Sequence, residues 1–237
     1  MRAVPLRVDD LTAGYGRTEV ISHVGFDVPA GGRTLVLGRN GVGKTTLLAS
    51  LMGLCTQHGG TIRLGDEDLS GRKTSRRAML GMGYVPQTRD IFRSLTVEQN
   101  LSTGIRSGSD ARLEEAYNMF PRLAERRRNL GGQLSGGEQQ MLSIARTLLG
   151  QPSVLLLDEP LEGLAPIICD ELMATISDLC SSRAITIILV EQQIERALAF
   201  GEHALIIEKG QIAWEGAVAA LKADHTLIET YLGVGIR

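Results

Sequence analysis

Aromatic residues are scarce in this chain, with one Trp, four Tyr and four Phe among 237 residues. Cysteine is scarcer. Cys55, Cys169 and Cys180 show no C-x-x-C spacing, which excludes a zinc ribbon or a disulfide framework and leaves three small apolar residues suited to a reducing compartment. Neither sign of charge prevails: a net charge of −2 gives no strong field to draw in a nucleic-acid backbone. Long hydrophobic runs are missing. Ala184–Val190 (AITIILV) is far shorter than the ~20 apolar residues that span a bilayer. Met1–Asp10 mixes Arg and Asp without an apolar run, so no secretory signal is expected. A soluble chain is expected, with any membrane role reached through a partner. Internal repeats and low-complexity linkers are lacking too. What remains is ordinary globular material, 43% hydrophobic with a mean hydropathy of +0.03, long enough to bury a sizeable core as one domain with a sub-lobe.

The stretch Gly38-Arg39-Asn40-Gly41-Val42-Gly43-Lys44-Thr45 reads G-x-x-x-x-G-K-T. Arg33–Leu37 before it has the pattern of a strand, and Thr45–Leu51 after it starts a helix, the context that a phosphate-binding loop needs. Glycines let main-chain N–H groups crowd around phosphate oxygens, and the helix N-terminus adds a partial positive charge. Lys44 is placed to reach β- and γ-phosphates and the Thr45 hydroxyl to ligate Mg²⁺, with Thr46 completing the nucleotide-binding set.

Residues 5–13 and 20–28 read as strands around a turn at Gly14-Tyr15-Gly16, where Tyr15 offers a ring for stacking on a base or is a plain turn tyrosine. Thr61–Leu64 is a further strand after a Gly59-Gly60 turn. Arg72, Lys73, Arg76 and Arg77 form a charged stretch expected on a solvated helix face. Met82–Val85 reads as a strand that Pro86 ends, with Gln87 at its tip, where an amide can touch Mg²⁺ or a water. Residues 90–133 are more polar and helical in pattern. Asp110 is expected to cap a helix carrying Leu113, Ala116, Tyr117 and Phe120, limited by Pro121. Arg122, Arg126, Arg127 and Arg128 read as a solvated face.

Ser135-Gly136-Gly137-Glu138 has the form of a capping box ahead of an apolar helix, and its glycine turn is also a ready anion site. Val154–Leu157 reads as a strand buried on both faces of a parallel sheet, ending in Asp158 and Glu159. Ligands of such sheets sit at the strands' carboxyl ends. That places Asp158 to hold Mg²⁺ and Glu159 to orient or deprotonate an attacking water. Pro166–Cys180 reads as an amphipathic helix with Ile167, Ile168, Leu172, Ile176 and Leu179 on one stripe. Ala184–Val190 is a second buried strand ending in Glu191-Gln192-Gln193. Residues 204–216 read as two strands around Lys209-Gly210, and a helical tail is expected from about residue 217 to 237.

The order phosphate loop, Gln87, Leu134-Ser135-Gly136-Gly137-Glu138, then Asp158-Glu159, then a polar residue after the next strand resembles the ATP-binding subunit of an ABC transporter, over essentially the whole chain. The resemblance implies an α/β fold: a RecA-like P-loop core, a small antiparallel β subdomain holding Tyr15, and a helical subdomain over about residues 90–150, in one ATP-binding domain spanning 1–237. It implies ATP and Mg²⁺ as ligands, Tyr15 stacked on adenine, Gln87 sensing Mg²⁺, and Glu159 as general base. It also implies a second ATP-binding subunit whose Ser135-type turn closes over the nucleotide. Other partners would be membrane permeases and, indirectly, a solute-binding protein, at the cytoplasmic face of the plasma membrane. The stretches GYVPQTRDIFRSLTVEQNL, LSGGEQQMLSIARTLL, LDEPLEGLAPII and EGAVAALKADHTLIETYLG are similar to the smaller ATPase subunit of branched-chain amino-acid importers. Urea and short-amide importers share much of this, and Gln87 leans toward them. Tandem cassettes, coiled-coil insertions and zinc cysteines, usual in ABC ATPases acting on DNA or the ribosome, are not seen. Most family members carry histidine where this chain has Gln192, and an amide donates a hydrogen bond without a histidine's charge.

Overall fold

The computed structural model describes residues 3–105, 111–183 and 185–233. Two sheets organise it. Strands β1 (Leu6–Tyr15), β2 (Thr18–Val28), β4 (Thr56–Leu64) and β5 (Glu67–Asp68) form an antiparallel sheet in the order β2-β1-β4-β5. The larger sheet has the order β10-β9-β3-β8-β7-β6, built from β3 (Arg33–Leu37), β6 (Met82–Val85), β7 (Val154–Asp158), β8 (Thr186–Val190), β9 (His203–Glu208) and β10 (Gln211–Ala217). Its strands run parallel except for the β9–β10 hairpin.

Each central strand is apolar on both faces because each face has its own core. Leu155 and Leu157 of β7 point into one cluster, with Met141, Leu142 and Leu148 of α6 (Gly136–Leu149) and Leu172 and Ile176 of α7 (Pro166–Arg183). Val154 and Leu156 point into the other, with Leu47, Leu48 and Leu51 of α1 (Lys44–Met52) and the inner face of the antiparallel sheet. Helix α1 therefore lies between the sheets and is buried nearly all round, which fits its composition KTTLLASLM. Helices α3 (Val97–Ser102), α4 (Ala111–Met119) and α5 (Pro121–Glu125) pack with α6 into a helical layer. Helices α2 (Thr74–Leu80), α8 (Ile194–Phe200), α9 (Val218–Ala223) and α10 (His225–Leu232) are the remaining α-helices among the described residues.

Several expectations change. Gly14 and Tyr15 belong to β1, and the hairpin turns at Gly16-Arg17, since Tyr15 still pairs with Thr18. Gly59-Gly60 is no turn: both lie inside β4, opposite a bulge in β1 around Asp10. Gly60 has φ +80°, and a Cβ there would sit 2.4 Å from the Asp10 carbonyl oxygen. Arg77 is not on a solvated face. It is 2% exposed and donates to the Ser50 and Leu51 carbonyls at the end of α1, at 2.7 and 2.9 Å. Ile167 is 71% exposed, so the buried stripe of α7 runs through Cys169 instead. Asp110 and Ala184 lie outside the described residues.

Candidate functional site

The phosphate loop leaves the carboxyl end of β3 and enters α1 through residues in left-handed conformations, with Gly38, Gly41 and Gly43 at φ 144°, 79° and 110°. Side-chain-bearing residues resist such angles. A Cβ at Gly43 would also strike the Ile21 side chain at 2.9 Å. Gly43 is the N-cap of α1 and no side chain caps that helix, so its first N–H groups face an open concavity of about 380 Å³. Lys44 is 5% exposed, and its ammonium donates to the Gly38 and Arg39 carbonyls at 2.9 and 3.0 Å. Burial pulls its pKa below the usual lysine value, against the opposing pull of Glu159, Asp158 and Glu191. Of the loop residues, Asn40, Gly41, Gly43, Lys44, Thr45 and Thr46 line the cavity. Val42 packs against the core instead, its carbonyl accepting from Gly210 N–H at 3.0 Å.

The other candidates arrive from neighbouring strand ends. Asp158 closes β7 and is fully buried. The Thr45 hydroxyl donates to its Oδ1 at 3.2 Å and the Tyr84 hydroxyl to its Oδ2 at 3.1 Å. Desolvation pushes the Asp158 carboxyl above its ordinary value, opposed by those two hydrogen bonds. Glu159 follows with φ +49°, a conformation that costs a non-glycine residue of the order of 1–3 kcal/mol. Its N–H donates to the Val190 carbonyl at 2.9 Å, which ties it to β8. Its carboxylate collects three side chains. Gln192 donates a short hydrogen bond to Oε2. Gln87 donates to Oε2 at 3.2 Å and also to Glu162 at 2.6 Å. Lys44 stands 3.9 Å from Oε1. The Gln192 amide thus faces the Glu159 carboxylate.

Ser135 caps α6 as the sequence suggests: its hydroxyl accepts from Glu138 N–H at 3.3 Å, and Glu138 accepts from Ser135 N–H at 2.8 Å. Ser135, Gly136, Gly137 and Glu138 do not line the cavity, and Glu138 pairs instead with Arg126 at 3.6 Å. Arg89 links the turn to the site: it abuts Gly136 and donates to the Glu162 carbonyl at 3.3 Å. Tyr15, at the end of β1, is 53% exposed and lies outside the cavity lining. Sequence reasoning gave no role to Tyr84, Glu162 and Glu191. All three act through contacts between distant segments, which no fixed spacing announces. A second concavity, about 560 Å³, opens beside β6 between α2 and α6. Leu54 and Phe92 are exposed on it, and Tyr84 lines it while bonding Asp158.

Residues that fit Mg²⁺ are present. The ion keeps several waters and takes one or two protein oxygens beside substrate phosphates. The Asp158 carboxylate and the Thr45 hydroxyl, next to an uncapped helix N-terminus, supply that set.

A buried parallel-sheet edge with phosphate loop, carboxylate pair and glutamines defines a P-loop nucleotide hydrolase. The ABC transporter family profile matches residues 21–162, and the chain belongs to that family, as one of its ATPases. It is 37% identical to the high-affinity branched-chain amino acid transport ATP-binding protein BraG of Pseudomonas aeruginosa, over 96% of this chain and 99% of that one. A probable branched-chain amino acid transport ATP-binding protein, LivF of Archaeoglobus fulgidus, is 35% identical over 97% of this chain and 99% of its own length. The lipopolysaccharide export system ATP-binding protein LptB of Haemophilus influenzae is 33% identical, with 96% and 97% covered. Among solved structures, a nucleotide-free ATP-binding cassette from an ABC transporter superposes with a TM-score of 0.83 at 23% identity, over 98% of this chain and all of the other. That likeness concerns the fold, as does that of a dimeric cassette bound to ADP and Pi, with a TM-score of 0.81 at 22% identity over 90% of this chain and 98% of its own.

Proposed function

We propose that this chain is the ATP-hydrolysing subunit that powers an importer for branched-chain or other hydrophobic amino acids. The observation that carries the hydrolytic half is the Glu159 carboxylate, held by Gln192 and Gln87 beside Lys44 at the mouth of the phosphate loop. ATP lies with its phosphates on the loop N–H groups and Lys44, and with adenine on the exposed Tyr15 ring. Gly38, Arg39, Asn40, Gly41, Val42 and Gly43 shape the loop, and Thr46 extends it. Asp158 and Thr45, with Gln87, would hold Mg²⁺, which when bound would offset charge developing on the phosphate oxygens. Glu159 takes a proton from water as the water's oxygen bonds the γ-phosphorus and the bond to the β-phosphate bridging oxygen breaks. Gln192 keeps the Glu159 carboxylate aimed.

The Ser135-Gly136-Gly137-Glu138 turn, idle in the single chain, serves the nucleotide of a second ATP-binding subunit. ATP between two such faces stabilises the closed pair by mass action, and hydrolysis reopens it. The concavity beside β6, with exposed Leu54 and Phe92, suits a permease segment at the cytoplasmic membrane face. None of the helices among the described residues is long and apolar enough to cross a membrane. The amino-acid reading is supported by the likeness to BraG and LivF, and the likeness to LptB marks export as its rival.

The test is purification of the chain from its native membrane in gentle detergent, with partners identified by mass spectrometry. Two hydrophobic permeases, a second ATPase and a companion solute-binding protein that takes up leucine but not urea are expected. An export complex, or no membrane partner, overturns the reading while leaving the ATPase standing.

A further inference from the structure

Glu191 is a buried carboxylate to which the chemistry above assigns no task. It follows β8, is 2% exposed, and directly precedes Gln192. Its Oε1 accepts the N–H groups of Gln192 and Gln193 at 2.8 and 3.0 Å. Its Oε2 accepts the N–H of Leu161 at 3.3 Å. One side chain therefore joins two loops: the one carrying Gln192 into α8, and the one leading away from Glu159. The Gln193 amide adds a parallel tie to the Leu161 carbonyl at 3.4 Å. Burying an anion is costly, and an apolar residue would fill the space more cheaply. Three main-chain donors converging on one buried carboxylate instead fix the relative position of both loops.

We propose that Glu191 is a positioning residue for ATP hydrolysis: it clamps the two loops so that the Gln192 amide stays on the Glu159 carboxylate. It does not line the cavity and acts only through these neighbours. The inference rests on Glu159 serving as base with Gln192 aiming it.

Steady-state hydrolysis of Mg-ATP by the full chain in its purified complex tests it, with kcat and KM measured separately for Glu191→Gln, Gln192→Ala and the double variant. An amide at 191 keeps one acceptor, so it serves one loop and turns an NH2 toward a donor on the other. The expected result for Glu191→Gln is a kcat loss of about tenfold with KM changed by less than about twofold. Gln192→Ala should cost about as much, and the double variant no more than the worse single, because both remove one contact. Glu191→Asp keeps the charge but is one methylene short. It should show the same kcat loss in protein that still folds, and it serves where the Gln variant does not fold. Wild-type kcat in a folded Glu191 variant overturns the proposal, and so do losses that multiply in the double variant. Glu159→Gln is measured alongside: sustained turnover there removes the base assignment, a failure distinct from that of the clamp.

Discussion

At Gln192 an amide rather than an imidazole meets the carboxylate of Glu159. None of the four histidines lines the cavity, so no imidazole titrates there. Hydrolysis should be nearly flat from about pH 6 to 8, and Gln192→His should add a step near ~6.5, where imidazole ordinarily titrates. A pH–rate profile checks this, and an unchanged rate and profile would place Gln192 outside the chemistry. Asp158 gives a second residue-scale prediction. Desolvation raises its folded-state pKa above the ordinary value. Between the two values the folded state binds more protons than the unfolded, so its contribution to stability is full below the ordinary pKa and is lost as pH rises through the raised one. Above the raised pKa the buried carboxylate is therefore a net cost. Asp158→Asn should melt higher than the wild type at pH values above the raised pKa, with the gain shrinking toward acid. It should also lose Mg²⁺-dependent nucleotide binding. Differential scanning calorimetry across pH measures the first effect, and titration with Mg-ATP the second.

Among the elements, the two ends of helices carry much of the arrangement. Arg77 of α2 satisfies the last carbonyls of α1, the helix whose first turn lines the cavity. Arg77→Leu keeps the bulk but strands those acceptors, at about 1.5–3 kcal/mol for hydrogen bonds to a charged group. A drop in melting temperature of roughly 3–12 °C is expected, with part recovered by Arg77→Lys. This position was not legible in the sequence. Arg72, Lys73, Arg76 and Arg77 look alike as a run, and only the close approach of Gly53, whose Cβ would lie 2.9 Å from the Arg77 Nε, selects one of them for burial. Ser135 was legible, because its capping box lies within four consecutive residues. Ser135→Ala should cost about 1 kcal/mol through the lost cap. If the turn also serves a second subunit's nucleotide, hydrolysis should fall by far more than the melting shift explains. Activity that tracks stability alone would leave Ser135 as a plain cap.

In the molecule as a whole, the parallel order β3-β8-β7-β6 brings four strand ends to one edge, and with them the phosphate loop, Gln192, Asp158-Glu159 and Gln87. Each segment announces itself locally through glycine spacing, an apolar run or a carboxylate pair. Their convergence comes from strand order, which the sequence discloses only through resemblance to known cassettes. What stays illegible at any spacing is the cross-linking: Tyr84 onto Asp158, Glu191 across two loops, Arg89 from the Ser135 turn to Glu162. Those contacts hold a site that is open on one side, and the Ser135 turn does not line it. The most direct test loads purified Glu159→Gln protein, in its complex, with Mg-ATP and follows bound nucleotide and released phosphate together. The expected result is ATP retained at full occupancy, with phosphate release at least ~100-fold slower than wild type. Continued multiple turnover at the wild-type rate would contradict hydrolysis through Glu159.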